Sequence, residues 1–321
     1  MRRLVSFLKE WMLPCAIVLG ISLYLLSHFT PALHPAGPVL HVMASEGQRL
    51  VIAFLLFFQF VKISPHDLRL SRWHLGALAV QVLSFLALAG LVAISEGELQ
   101  MLLECAMLCM ICPTASAAGV ITDRLGGNLA GTVTYLVLIN VAATFLIPLV
   151  IPLVNPSATL GFWVYVGHIA LKVFPVLILP GLLAWLVRYT TRNLQRRLMR
   201  WASNSFYIWG IGLTLAMVLS TRALLMSRLS LWAMAGIVLL SVLCCFLQFF
   251  AGRRMGRGKV ESLTAGQALG QKNTGFLIWL GYNYLTPVTS VAGGLYAIWQ
   301  NLFNSWELYQ KAHEDAEQKA A

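Results

Sequence analysis

The amino-acid sequence predicts an all-α membrane protein of ten transmembrane helices, arranged as two inverted five-helix repeats. Three observations carry this. The 321 residues are 59% hydrophobic and 11% charged, where soluble domains carry about 25% charged residues. Apolar runs long enough to cross a bilayer recur along the whole chain. Basic residues gather on alternate connectors.

A spanning helix needs about 20 mostly apolar residues. The first such run is Trp11–Phe29. Its basic-then-apolar profile resembles a signal peptide, but no clear small-x-small site follows, so it reads as an uncleaved span. Nine further runs follow: Leu50–Val61, Leu75–Ile94, Gln100–Thr122, Leu129–Val154, Leu160–Val187, Ser203–Thr221, Leu229–Ala251, Ser262–Tyr284 and Pro287–Leu308. The second is short unless it starts within Val39–Ala44. The ninth is weakly apolar in its first half. Tight connectors such as Asn155-Pro156 and Thr286-Pro287 leave no room for a soluble domain. The expected organisation is one transmembrane domain over 1–308, with repeats 1–154 and 160–308, and a polar cytoplasmic tail over 309–321.

With the N-terminus in the cytoplasm, nearly all of the 23 basic residues fall on the inner connectors. The exceptions are Arg49, Arg222 and Arg228 outside, and Lys172 and Lys272 within spans. This is the positive-inside pattern. It places both termini inside, at a bacterial inner (cytoplasmic) membrane. It also explains the net charge of +11 as topology rather than nucleic-acid binding. No cofactor and no metal site is expected. The six cysteines sit in apolar runs and give no disulfide framework. There is no HExxH, no pair of intramembrane carboxylates and no Ser/His/Asp set, so the chain does not read as an enzyme.

Two spans are interrupted at matched places. The fourth carries Cys112-Pro113-Thr114-Ala115-Ser116-Ala117-Ala118-Gly119, in which the proline removes a backbone donor. The ninth carries Gly266 to Gly275 (GQALGQKNTG), too polar for a lipid-facing helix. Each break lies in the fourth helix of a five-helix half, where transporters with inverted repeats place substrate. Of the acids, only Glu104 lies well inside an apolar run. Glu104 and Lys172 read as paired or snorkelling structural charges. Lys272, at the second break, reads as functional. Cys105, Cys109 and Cys112 share a helical face, which suits helix packing or a soft metal or metalloid.

These segments resemble the bile acid:sodium symporter family over the chain to about Leu308. The likeness is carried by Gln59 to Leu68 (QFVKISPHDL), by Cys112 to Thr122 with Gly127-Asn128-Leu129-Ala130, by Gly270 to Gly275 (GQKNTG) and by Trp299-Gln300-Asn301. The resemblance implies a core domain of helices 3–5 and 8–10 and a panel of helices 1, 2, 6 and 7. The discontinuous helices 4 and 9 would cross in the core, with substrate between core and panel. It implies sodium ligands at Gln81, Ala118, Gly119, Thr132, Leu136, Ala268 and Lys272. Only Gln81 and Thr132 keep a family-like oxygen there, which counts against sodium coupling, and Lys272 puts an ammonium in a ligand's place. The expected function is secondary transport of an organic anion, a bile acid-like molecule or a small carboxylate such as pantoate or a keto acid, with the bilayer as the other partner. Thr114, Ser116, Lys272, Asn273 and Thr274 would line the substrate site. Free N–H groups of both half-helices would face the anion, and Gln81 would hydrogen-bond the ammonium. Proton coupling and facilitated exchange are both open. The alternatives are a metalloid exporter of related fold using Cys112, and a membrane receptor that binds without transporting.

Overall fold

The computed structural model describes residues 12–202, 205–227 and 229–320. Trp11, Ser203 and Arg228, used above for span limits and charge placement, lie outside the described residues, as do Arg2, Arg3 and Lys9 among the basic residues assigned to the inner side. Within them every regular element is helical, and the one strand-like contact is an isolated antiparallel bridge between Thr114 and Lys272.

The helices, in chain order, are α1 (Met12–Phe29), α2 (Gly37–Val61), α3 (Arg72–Ala93), α4 (Gly97–Ile111), α5 (Ala118–Arg124), α6 (Leu129–Val154) and α7 (Phe162–Leu177). They continue as α8 (Leu179–Thr190), α9 (Arg192–Trp201), α10 (Ser205–Met226), α11 (Leu231–Met255), α12 (Gly258–Gly270), α13 (Thr274–Tyr284) and α14 (Ser290–Ala320). Five of them, α2, α3, α6, α10 and α11, are long and apolar enough to cross a membrane, and α7 with α8 make a sixth if counted as one span. Their outer faces carry bare apolar side chains, with Leu231 80% and Leu171 77% exposed. Water would penalise such a surface, whereas lipid solvates it. The protein is a helical, membrane-embedded protein.

Several expected limits change. The second span starts at Gly37, not Leu50. Ser45 and Gln48 dilute its apolar pattern because they face inward and are buried, not because the helix has yet to begin. The sixth span is not one straight helix. It bends by 40° at Ile178, between Pro175 and Pro180, which each remove an N–H that would close a helical turn. The basic connector after it forms a helix of its own, α9, with Leu194, Leu198 and Trp201 at helical spacing on one side. The last helix does not stop at Leu308. It continues to Ala320 and is tied back to α12 by a Lys259–Glu314 ion pair at 2.8 Å.

The interior gathers around α4, α11, α13 and α14, with Ile111, Phe249, Phe276 and Tyr296 among its fully buried members. Helices α11 and α12 meet backbone to backbone. A Cβ on Gly252 would lie 2.3 Å from the Ala265 carbonyl oxygen, so only glycine allows this approach. Gly258, at φ +71°, turns the chain between them.

Candidate functional site

The two interrupted segments lie against each other. Helix α4 ends at Ile111, and Cys112-Pro113 leaves in an extended conformation (Cys112 φ −51°, ψ 127°). Helix α12 ends at Gly270, and Gln271 is likewise extended (φ −82°, ψ 116°). The two strands-in-miniature pair antiparallel. Asn273 N donates to the Pro113 carbonyl (2.8 Å) and Ala115 N to the Gln271 carbonyl (3.0 Å). The Thr114 hydroxyl donates to the Ala268 carbonyl at 2.7 Å. Backbone freed from helix at membrane depth has no water to turn to, so it must be satisfied by protein. Each break here supplies the partners that the other lacks. Gln300 of α14 completes the arrangement. Its carbonyl oxygen accepts from Lys272 N (2.8 Å), and its amide donates to Lys272 O (3.3 Å).

Burial sorts the expected site residues. Thr114 and Lys272 are fully buried, whereas Ser116 and Asn273 are part-exposed and Thr274 is 8% exposed. The Lys272 ammonium has no hydrogen-bond partner among the described residues. Its electrostatic neighbours are the thiols of Cys112, Cys109, Cys245 and Cys244. Gln81 does not reach it. That amide is spent on the Cys112 carbonyl (2.8 Å) and on accepting from the Tyr135 hydroxyl (2.7 Å), so it braces the break instead.

Past the second break Asn273 caps α13, its Oδ1 accepting from Phe276 N at 3.2 Å. In the first turn Thr274 N is bonded to the Lys272 carbonyl (2.8 Å) and Leu277 N to the Asn273 carbonyl (3.1 Å), so Gly275 N is the donor left at the positive end of this eleven-residue helix. The first half-helix, α5, is shorter, at seven residues, and Ala118 N at its start is bonded to the Ala115 carbonyl (3.1 Å). Two residues that sequence reading missed as site members stand over these helix starts. A Cβ on Gly275 would come within 2.4 Å of Gln48 Nε2, and one on Gly119 within 3.3 Å of Gln59 Nε2. Both glutamines belong to α2 and are buried, and Gln48 Oε1 has no partner among the described residues. They are about three turns apart, hence on one face. Two amides at that spacing inside an apolar span were the available signal.

The positions that the resemblance assigns to sodium form a closed set. Ala118, Gly119, Leu136 and Ala268 carry no side-chain oxygen. The Thr132 hydroxyl donates to Thr122 Oγ1 at 3.0 Å, and Thr122 in turn to the Ala118 carbonyl at 2.8 Å. Among the thiols, Cys105 contacts Met101 Sδ at 3.9 Å and Cys112 donates to the Asn273 carbonyl at 3.1 Å. No group of three His, Cys, Asp or Glu side chains able to hold a metal ion occurs among the described residues. Glu104 is buried and accepts from Thr286 N (3.1 Å) and the Gln100 amide (3.4 Å), which ties α4 to the loop before α14. Lys172 on α7 is part-exposed.

A second acid, at the end of the last apolar run, is buried as well. Glu307 on α14 is 5% exposed. It pairs with Arg253 of α11 and accepts from the Gln267 amide of α12. No family model matches this chain, and no curated protein matches it.

Proposed function

We propose that this protein is a secondary transporter of a small organic anion, a divergent relative of the bile acid:sodium symporters. In this reading ten membrane passages form two inverted five-helix repeats. The core, which holds the two breaks, rocks against a panel that includes α2. The anion binds in front of the breaks, at Ser116, Asn273, Thr274 and the first turn of α13, with Gln48 and Gln59 opposite.

The observation that carries the proposal is the Lys272 side-chain nitrogen, wholly buried within the paired breaks and without a hydrogen-bond partner among the described residues. An unpaired buried charge is costly, and a counter-charge brought near relieves it. An anion in front of the breaks would do so through space. At an effective dielectric of about 20 and a separation of about 8 Å, the attraction is roughly 2 kcal/mol. That corresponds to about 30-fold in affinity. Lys272 thus supplies the positive charge that sodium would otherwise bring, and the Thr132–Thr122 hydroxyl pair, with Gln81 committed to the Cys112 carbonyl and the Tyr135 hydroxyl, supports a sodium-independent cycle.

The test is a thermal-shift screen of purified protein against bile acids, pantoate and 2-oxo acids, with and without sodium, on wild type and Lys272→Gln. A carboxylate should raise the melting temperature of wild type in either salt, and Lys272→Gln should lose about 30-fold in affinity for it. Uptake into proteoliposomes that demands a sodium gradient, or full activity in Lys272→Ala, would overturn the assignment.

A further inference from the structure

Helix α14 turns a row of polar side chains inward, Gln300, Asn304 and Glu307, at the spacing of one helical face. Each is under 10% exposed. Gln267 of α12 and Gln271, just past the end of that helix, answer it and are also buried. The amide of Gln271 donates to Gln267 Oε1, and that of Gln267 donates to Glu307 Oε2, with Asn304 Oδ1 at 3.3 Å from the same nitrogen. The chain therefore starts at Glu307 and ends at Gln271, whose backbone carbonyl takes the Ala115 N–H across the paired breaks. Its other end opens outward. Glu307 lines a cavity of about 390 Å³ together with Arg253, Lys259, Lys311 and Glu314.

We propose that Glu307 is the proton-binding carboxylate of this carrier, loaded from that cavity and sensed at the breaks through Gln267 and Gln271. The inference rests on the transport reading above and adds the coupling ion. An ionised carboxylate can only accept hydrogen bonds, so the chain now runs from Gln271 through Gln267 towards Glu307. A proton from water in the cavity forms an O–H bond on Glu307, and the group becomes a donor. Its hydroxyl then bonds Gln267 Oε1, both glutamine amides turn over, and the hold of Arg253 weakens with the lost charge. Releasing the proton to water restores the first arrangement, so one proton is bound and one is returned per cycle. The charged groups facing Glu307 are Arg253 from α11, Lys259 from α12, and Lys311 and Glu314 from its own helix. The guanidinium beside it repels a metal cation, whereas a proton is held by a covalent bond.

The experiment compares wild type, Glu307→Gln and Arg253→Gln in proteoliposomes, with radiolabelled pantoate, a 2-oxo acid and taurocholate as probes. Two assays are run, counterflow with no gradient and accumulation driven by a pH gradient. Glu307→Gln should keep counterflow within about twofold and lose accumulation by at least about tenfold. Arg253→Gln should move the pH profile of accumulation to higher pH, because the ionised carboxylate loses its partner. Accumulation by Glu307→Gln at the wild-type level overturns the proposal. Infrared difference spectra of the purified proteins across the neutral pH range give a readout that needs no substrate. A protonated carboxyl band present in wild type and absent from Glu307→Gln supports the assignment, and no such titrating band overturns it. If wild type moves none of the probes, the transport reading fails, and the infrared comparison still decides whether Glu307 takes up a proton.

Discussion

At the residue scale, Lys272 is held by its backbone and left free at its tip. Gln300 grips both its N–H and its carbonyl, while Nζ faces thiols that are poor counter-charges. Gln300→Ala would leave the buried Lys272 N–H unpaired in the break, while the Lys272 carbonyl keeps its bond from Thr274 N. The expected cost is about 1–3 kcal/mol, read as a lower melting temperature in detergent, together with loss of anion-induced stabilisation. Gln300→Glu should recover part of the stability, since it still accepts from the Lys272 N–H. Site residues were legible to different degrees for a physical reason. Lys272, Asn273 and Thr274 stood out as a polar run in an apolar chain. Gln59 and Glu307 are single polar residues flanked by apolar ones, Gln48 lies in the polar run Ser45-Glu46-Gly47-Gln48-Arg49, and only their helical faces, once partnered, show that they point inward.

At the scale of the element, each break is a helix end that proves costly to leave unfinished. Asn273 finishes the second by capping α13. Asn273→Ala should cost about 1 kcal/mol of stability, and it should also weaken anion binding, because the first turn of α13 frays. Asn273→Asp keeps the cap but adds a negative charge at the proposed anion site. It is expected to keep the melting temperature and lose the affinity. Thermal unfolding and ligand titration on the same two variants separate the roles. The breaks were readable because proline and a polar run interrupt hydropathy. The bend at Ile178 was not, because the segment around Pro175 and Pro180 stays apolar on both sides and a hydropathy sum does not register a missing N–H.

At the scale of the whole molecule, the described residues give five long apolar helices and one bent pair. The proposed ten passages add α1, the two broken helices and α14. This topology predicts that alkaline phosphatase fused after Ser157 is active outside the membrane and that a fusion after Arg196 is inactive, with the reverse for a cytoplasmic fluorescent reporter. The opposite pattern at either position would remove the inverted-repeat arrangement. The charge bias behind this prediction is summed over many side chains, so a single replaced arginine should leave both reporters unchanged.

The amino-acid sequence by itself determined the class of the protein, the positions of most helices and the two places where helices break. Each of these follows from local quantities: mean hydropathy over a span, a proline, a run of amides. Only the tertiary structure decided what the breaks do with their unpaired backbone, and which polar groups face one another across α2, α12 and α14. Those pairings join residues far apart in the chain, such as Thr114 with Ala268 and Lys272 with Gln300. Their free energy comes from the absence of water at that depth, so it exists only once the helices have closed around them.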